Sequence, residues 1–237
     1  AAVAAGEADI LCLYLKDVPA VREVFTDIAP ALGPGKCVVN HATIDLDTTT
    51  WLADSCMAAG CEFLNAPFTG SKVAASEGKL SYYAGGPAEL VSRLTPFLEA
   101  SSARVIPLES AAAATVVKLT TNLVSACTVQ ALAEALRINE AFGNRHEVFI
   151  EAVATNACGS PLAAMKMPNM AAGDFEAHFS LSNMLKDARY ALDLAARSGL
   201  DAPGIATTAQ QMQELAEAGF GDEDFSTLYR QFAPHDS

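Results

Sequence analysis

The sequence predicts an α/β region built on a parallel sheet, followed by an all-α region, and three observations carry that reading. Up to about residue 109, short apolar runs alternate with amphipathic stretches at the spacing of strand, helix, strand. Beyond Ser110 no segment shows strand patterning. Residues 110–133, SAAAATVVKLTTNLVSACTVQALA, form a stretch of twenty-four residues carrying one charge, Lys118. The composition shift places a domain boundary at about residue 109, giving domains 1–109 and 110–237.

The elements follow from local signals. AAVAAGEA at the start reads as the end of an alanine-rich helix, and residues 10–15 as a strand buried on both faces. A helix over residues 18–32 is stopped by Gly33, Pro34 and Gly35 before a second apolar strand at 37–43. The next helix starts near Asp47, with Thr48, Thr49 or Thr50 able to cap it, runs to Gly60, and leads to a strand at 62–65. A β-rich run at 79–84, a helix with Pro87 in its first turn and a last strand at 103–108 complete the first half. The long helix then continues without Pro or Gly to the stop signals Gly143 and Asn144, a length of roughly 50 Å at 1.5 Å per residue. Further helices are expected around 147–156, 161–167, 179–199 and 202–219.

Half of the 237 residues are apolar, enough for a sizeable core, and the formal charge of −13 argues against nucleic-acid or anionic-membrane partners. Lys118, Thr120, Thr121, Asn122, Ser125, Thr128 and Gln130 make the long helix too polar for a membrane span. Six cysteines without a CxxC pair fit reduced thiols in a cytoplasmic protein. His41, His146, His178 and His235 lack metal-ligand spacing, so no metal is expected, and no signal peptide is visible. Lys118 and Asn122, four apart, share one helical face and can reach one small ligand. From periodicity alone Lys118 is either a proton-transfer group tuned by burial or a lysine that snorkels or pairs with a carboxylate such as Glu109.

NAPFTGS at 65–71, Lys118 with Asn122, FSLSNMLKDARYALDLA at 179–195 and GDEDFSTL near the end, in that order and spacing, resemble the β-hydroxyacid dehydrogenase family. The resemblance implies a partial Rossmann-like NAD(P)-binding domain, then a helical 6-phosphogluconate-dehydrogenase-like domain for substrate and dimerisation. It implies hydride transfer between NADP or NAD and a small carboxylate substrate, in a homodimer or homotetramer. Lys118 takes the place of the family's catalytic lysine and Asn122 of its substrate-orienting asparagine. Thr69, Gly70 and Ser71 fall on the substrate-carboxylate loop, where glycine would permit close backbone approach. Leu15, Lys16 and Thr43 fall on cofactor-side strand ends, and Lys186 with Asp187 on the pair that reaches the cofactor.

Asn65 and Ser71 stand where the family commonly has Asp and Gly, departures expected to shift substrate fit. No GxGxxG follows any strand, so the resemblance implies that about 60 residues, two βα units, precede Ala1. An imine reductase on the same scaffold is the first alternative, disfavoured by Lys118. The second is a catalytically silent relative serving as a binding or oligomerisation module.

Overall fold

The computed structural model describes residues 1–232 and divides the chain into two compact units, one from Ala1 to Thr120 and one beginning at Thr121. His235 lies outside the described residues. In the first unit α1 (Ala2–Glu7) leads into β1 (Ile10–Leu13), α2 (Val18–Ile28), β2 (Cys37–Asn40), α3 (Leu46–Ala59) and β3 (Glu62–Asn65). These three strands pair in parallel, Ile10 opposite Cys37 and Cys37 opposite Glu62. The caps are carboxylates: Asp17 Oδ1 accepts from Ala20 N at 3.0 Å, and Asp45 Oδ1 from Thr48 N at 2.6 Å. The expected threonine cap of α3 is therefore corrected; Thr48 and Thr49 lie inside the helix, and buried.

The sheet is not parallel throughout. β4 (Phe68–Thr69), the short helix α4 (Lys72–Ser76) and β5 (Leu80–Gly85) form an antiparallel excursion in which Phe68 faces Tyr82. Ten residues separate Thr69 from Leu80, too few for the dozen or more that a parallel crossover needs. β5 also meets β3 antiparallel at Asn65 and Gly85, while α5 (Ala88–Glu99) returns the chain to β6 (Ser102–Leu108), parallel to β5. Pro87 is the N-cap of α5 rather than a first-turn residue. One apolar cluster (Val21, Phe25, Leu52, Phe63) joins the first three helices to the sheet, and another (Leu64, Tyr82, Leu90, Leu94) joins α5 to it.

From Ala111 the chain is helical: α6 (Ala111–Ala141), α7 (His146–Thr155), α8 (Pro161–Ala172), α9 (Leu181–Arg197) and α10 (Pro203–Leu215), then a 3-10 segment at Phe225–Phe232. α8 runs a turn and more past the expected stop, across Pro168, because Met167 and Met170 are both core residues. By length and composition α6 could cross a membrane, yet Val129, Ala133 and Leu136 on it are part of the second unit's core. That core also takes Met167, Leu181, Met212 and Leu228.

Candidate active site

A buried polar chain ties the start of α6 to the sheet. Asn65 donates through Nδ2 to Ala111 O at 2.9 Å and to Thr115 Oγ1 at 2.8 Å, and its Oδ1 accepts from Asn40 Nδ2 at 2.8 Å. Thr115 in turn shares a 2.7 Å hydroxyl contact with Thr49. Gly85 lets the helix come this close: a Cβ there would stand 2.2 Å from Ser110 O. Lys118, one turn further along α6, is thereby fixed in place and only 7 % exposed. Glu109, the carboxylate offered as its simple structural partner, is exposed.

The departure at Asn65 thus acquires a structural reason, since its amide is consumed by the fold. The same holds in part for the loop that follows. Thr69 ends β4, exposed. Gly70 has φ 142°, and an added Cβ would meet Leu80 Cδ2 at 2.8 Å and Ala74 Cβ at 3.2 Å. Packing against Leu80 and Ala74 therefore demands glycine here, whatever a ligand requires. Ser71 caps α4, its Oγ accepting from Ala74 N at 3.2 Å.

In the second unit α6 carries Asn122, 9 % exposed, and α9 carries Lys186 and Asp187. Asp187 is 1 % exposed, and its two oxygens are divided: Oδ2 accepts from Asn122 Nδ2 at 2.6 Å and Oδ1 from Lys186 Nζ at 2.7 Å. Lys186 also lies 5.2 Å from the Tyr190 ring centroid.

The GDEDFSTL motif turns out to be architectural. Asp224 accepts from Lys166 Nζ at 2.7 and 2.8 Å, from the backbone N–H groups of His178, Phe179 and Ser226, and from Ser226 Oγ. Burial by itself would raise the Asp224 pKa, but Lys166 and the two Ser226 donors hold it below the usual carboxylate range. The motif pins the segment preceding α9.

One cluster escaped sequence reasoning. Tyr14 and His41 each directly follow a strand, and because Leu13 pairs with Asn40 their rings stack, with centroids 4.1 Å apart. Tyr14 Oη meets Tyr82 Oη at 2.8 Å, and His41 Nδ1 lies 2.8 Å from Ala66 O. A carbonyl only accepts, so Nδ1 carries the proton and Nε2, buried without a partner among the described residues, is the bare nitrogen. Burial lowers the His41 pKa to about 4, against a weaker upward pull from Ala66 O. Parallel register between the two strand ends was the signal that could have revealed the pair.

Beside this cluster, the carboxyl ends of β1 and β2 present part-buried Leu15, exposed Lys16 and part-buried Thr43. These residues stand at the carboxyl ends of parallel strands, where open α/β sheets bind their ligands. The fold is thus a parallel-dominated α/β unit of the nucleotide-binding class followed by a helical second half.

The comparisons with known proteins give the family. Residues 112–232 match the family described as NAD-binding of NADP-dependent 3-hydroxyisobutyrate dehydrogenase, and residues 1–110 match the NAD binding domain of 6-phosphogluconate dehydrogenase. The chain belongs to the β-hydroxyacid dehydrogenase family of NAD(P)-dependent oxidoreductases. It is 28 % identical over 198 residues to glyoxylate/succinic semialdehyde reductase 2 of Arabidopsis thaliana, covering 83 % of this chain and 55 % of the relative. The chain thus spans about half the length of that plant protein. The 3-hydroxyisobutyrate dehydrogenase structure of Mycobacterium tuberculosis with L-serine superposes with a TM-score of 0.89 at 26 % identity, over 98 % of this chain and 82 % of that one. Human cytokine-like nuclear factor N-PAC is 26 % identical over 94 % of this chain and 41 % of its own length.

Proposed function

We propose that this chain catalyses reversible hydride transfer between NADP or NAD and a small β-hydroxy acid or its semialdehyde. The observation that carries the reading is a buried lysine, Lys118, followed one helical turn later by the buried amide of Asn122. A bound nicotinamide supplies or accepts the hydride. In the reducing direction the Lys118 ammonium donates its proton to the alkoxide developing on the substrate; in the oxidising direction the neutral amine accepts the hydroxyl proton. Asn122 orients the substrate. Thr69 hydroxyl and the backbone N–H groups of Gly70 and Ser71 hold the substrate carboxylate, while Leu15, Lys16, Thr43 and Lys186 face the cofactor. Residues 1–109 act as the nucleotide domain and 110–237 as the substrate and dimerisation domain.

The assembly we read is a homodimer or homotetramer. Along α6 and at the residue just past its end, Val124, Thr128, Ala131, Ala135, Ile138 and Phe142 recur at the alternating four- and three-residue spacing of a coiled-coil seam, without a charge. Val124, Ile138 and Phe142 are 61 %, 58 % and 84 % exposed, an uncharged apolar row that a second copy of the same helix would cover. The core role of α6 and the six free cysteines favour a soluble cytoplasmic protein.

A silent scaffold is disfavoured by the complete set of Lys118, Asn122 and Lys186, and an imine reductase by Lys118. The test is fluorescence titration of the full-length protein with NADPH and NADH, followed by succinic semialdehyde and methylmalonate semialdehyde. Nucleotide binding with turnover of either aldehyde supports the reading; absence of both removes it.

A further inference from the structure

We infer that Asp187 is the positioning residue of this site, holding the Asn122 amide with one carboxylate oxygen and the Lys186 ammonium with the other, without touching the nucleotide. The inference rests on the reaction proposed above. Asp187 lies on the inner face of α9 at 1 % exposure, where a carboxylate is tolerated only if paired and hydrogen-bonded. Both conditions are met by side chains of this chain, at 2.6 Å from Asn122 and 2.7 Å from Lys186. The Asp187 oxygen accepts from Asn122 Nδ2, so Asn122 presents its NH2 group to Asp187. The amide carbonyl therefore points away from Asp187, and a half-turn of the amide would set oxygen against oxygen. Asp187 thus decides which way Asn122 offers its acceptor to a substrate hydroxyl.

Lys186 is held differently. It is the immediate chain neighbour of Asp187, so the two side chains leave α9 about 100° apart, and the lysine stem must fold back to reach the carboxylate. Its stem is part-exposed and its ammonium lies beside the Tyr190 ring. One buried anion consequently sets the direction of both a neutral hydrogen-bonding group and a cation. Asp187 lacks the exposed surface that a direct nucleotide contact needs.

The discriminating variant is Asp187→Asn, which keeps the shape and removes the acceptor-only character, so that an Asn122 amide can pair with it in either orientation. In the full-length protein kcat/KM for the hydroxy acid should fall by roughly 100-fold, the scale of a misplaced orienting group. The dissociation constant for NADPH should stay within about two-fold, because no nucleotide contact is lost. In an Asn122→Ala, Lys186→Met background the same substitution should change kcat/KM by less than about two-fold, since both routes of action are gone. A second readout needs no turnover: the Asn122 side-chain amide pair in a nitrogen-15 proton correlation spectrum should shift in Asp187→Asn. NADPH affinity falling in step with kcat/KM would overturn the inference by making Asp187 a nucleotide contact. Unchanged kcat/KM with a lowered melting temperature would overturn it by making Asp187 merely structural. Should the wild-type protein turn over neither aldehyde, the proposed reaction fails by itself, and an unmoved Asn122 resonance would separately sink the Asp187 tie.

Discussion

Acid should unfold this protein early, and His41 is the group that makes it so. The ring is 2 % exposed, stacked on Tyr14, with its proton committed to Ala66 O. A charged imidazolium there would have to place its second N–H at a nitrogen that meets no acceptor among the described residues. Its pKa accordingly falls from the usual 6.5 to about 4. The unfolded chain therefore binds a proton that the folded chain refuses between those two values, and stability rises with pH across that window. The contribution is fully present above pH 6.5, is lost progressively as the pH falls, and is gone below about 4. A gap of about 2.5 pH units at about 1.4 kcal/mol each amounts to about 3 kcal/mol, a sizeable part of a typical domain's stability. Urea denaturation between pH 7.5 and 4 measures it, with His41→Leu as the reference. Carboxylates titrate in both proteins and cancel in the difference, so the wild type should lose about 3 kcal/mol more than the variant over that range. Parallel curves for the two proteins would refute the assignment of a buried, neutral His41.

Three further outcomes follow from named contacts. Restoring the family's common residue with Asn65→Asp should destabilise the first unit by roughly 2–4 kcal/mol, because a carboxylate cannot donate to Ala111 O or Thr115; calorimetry of the variant checks it. Lys166→Met should cost about 3–5 kcal/mol by stranding the buried Asp224 carboxylate, and a Lys166→Met, Asp224→Leu pair should cost less than the single change if the ion pair rather than packing is at stake. If the proposed self-association runs through α6, replacing the exposed Ile138 and Phe142 together by Glu should leave monomers in sedimentation experiments, with the melting temperature of each unit nearly unchanged.

Much of the fold was legible because its signals are local. β1, β2 and β3 announce themselves as apolar runs, and α6 as an uninterrupted helix between residue 110 and Gly143. β5 was legible as the β-rich run at 79–84, but β4 and the antiparallel pairing of the two were not. Their pairing is set by the shortness of the intervening segment and by Phe68 meeting Tyr82, a contact that composition does not report. Asp45 was overlooked as a cap because three threonines follow it, and the structure spends Thr49 on a long-range tie to Thr115. Among the site residues, Lys118 stood out as the one charge in residues 110–133, and Asn122 as the amide one helical turn beyond it. The tie of Asp187 to Asn122 was not legible: sequence shows a Lys-Asp dipeptide, whereas the approach of α6 to α9 brings the carboxylate to the Asn122 amide. Tyr14 and His41 could be joined only once the register of β1 against β2 was known.

The central claim is that Lys118 performs the proton chemistry, and its most direct test is the turnover of Lys118→Ala in the full-length protein at saturating NADPH and semialdehyde. Loss of a positioned proton donor should lower kcat by about 10²–10⁴-fold, with NADPH affinity preserved. A variant that keeps near-normal kcat would contradict the account.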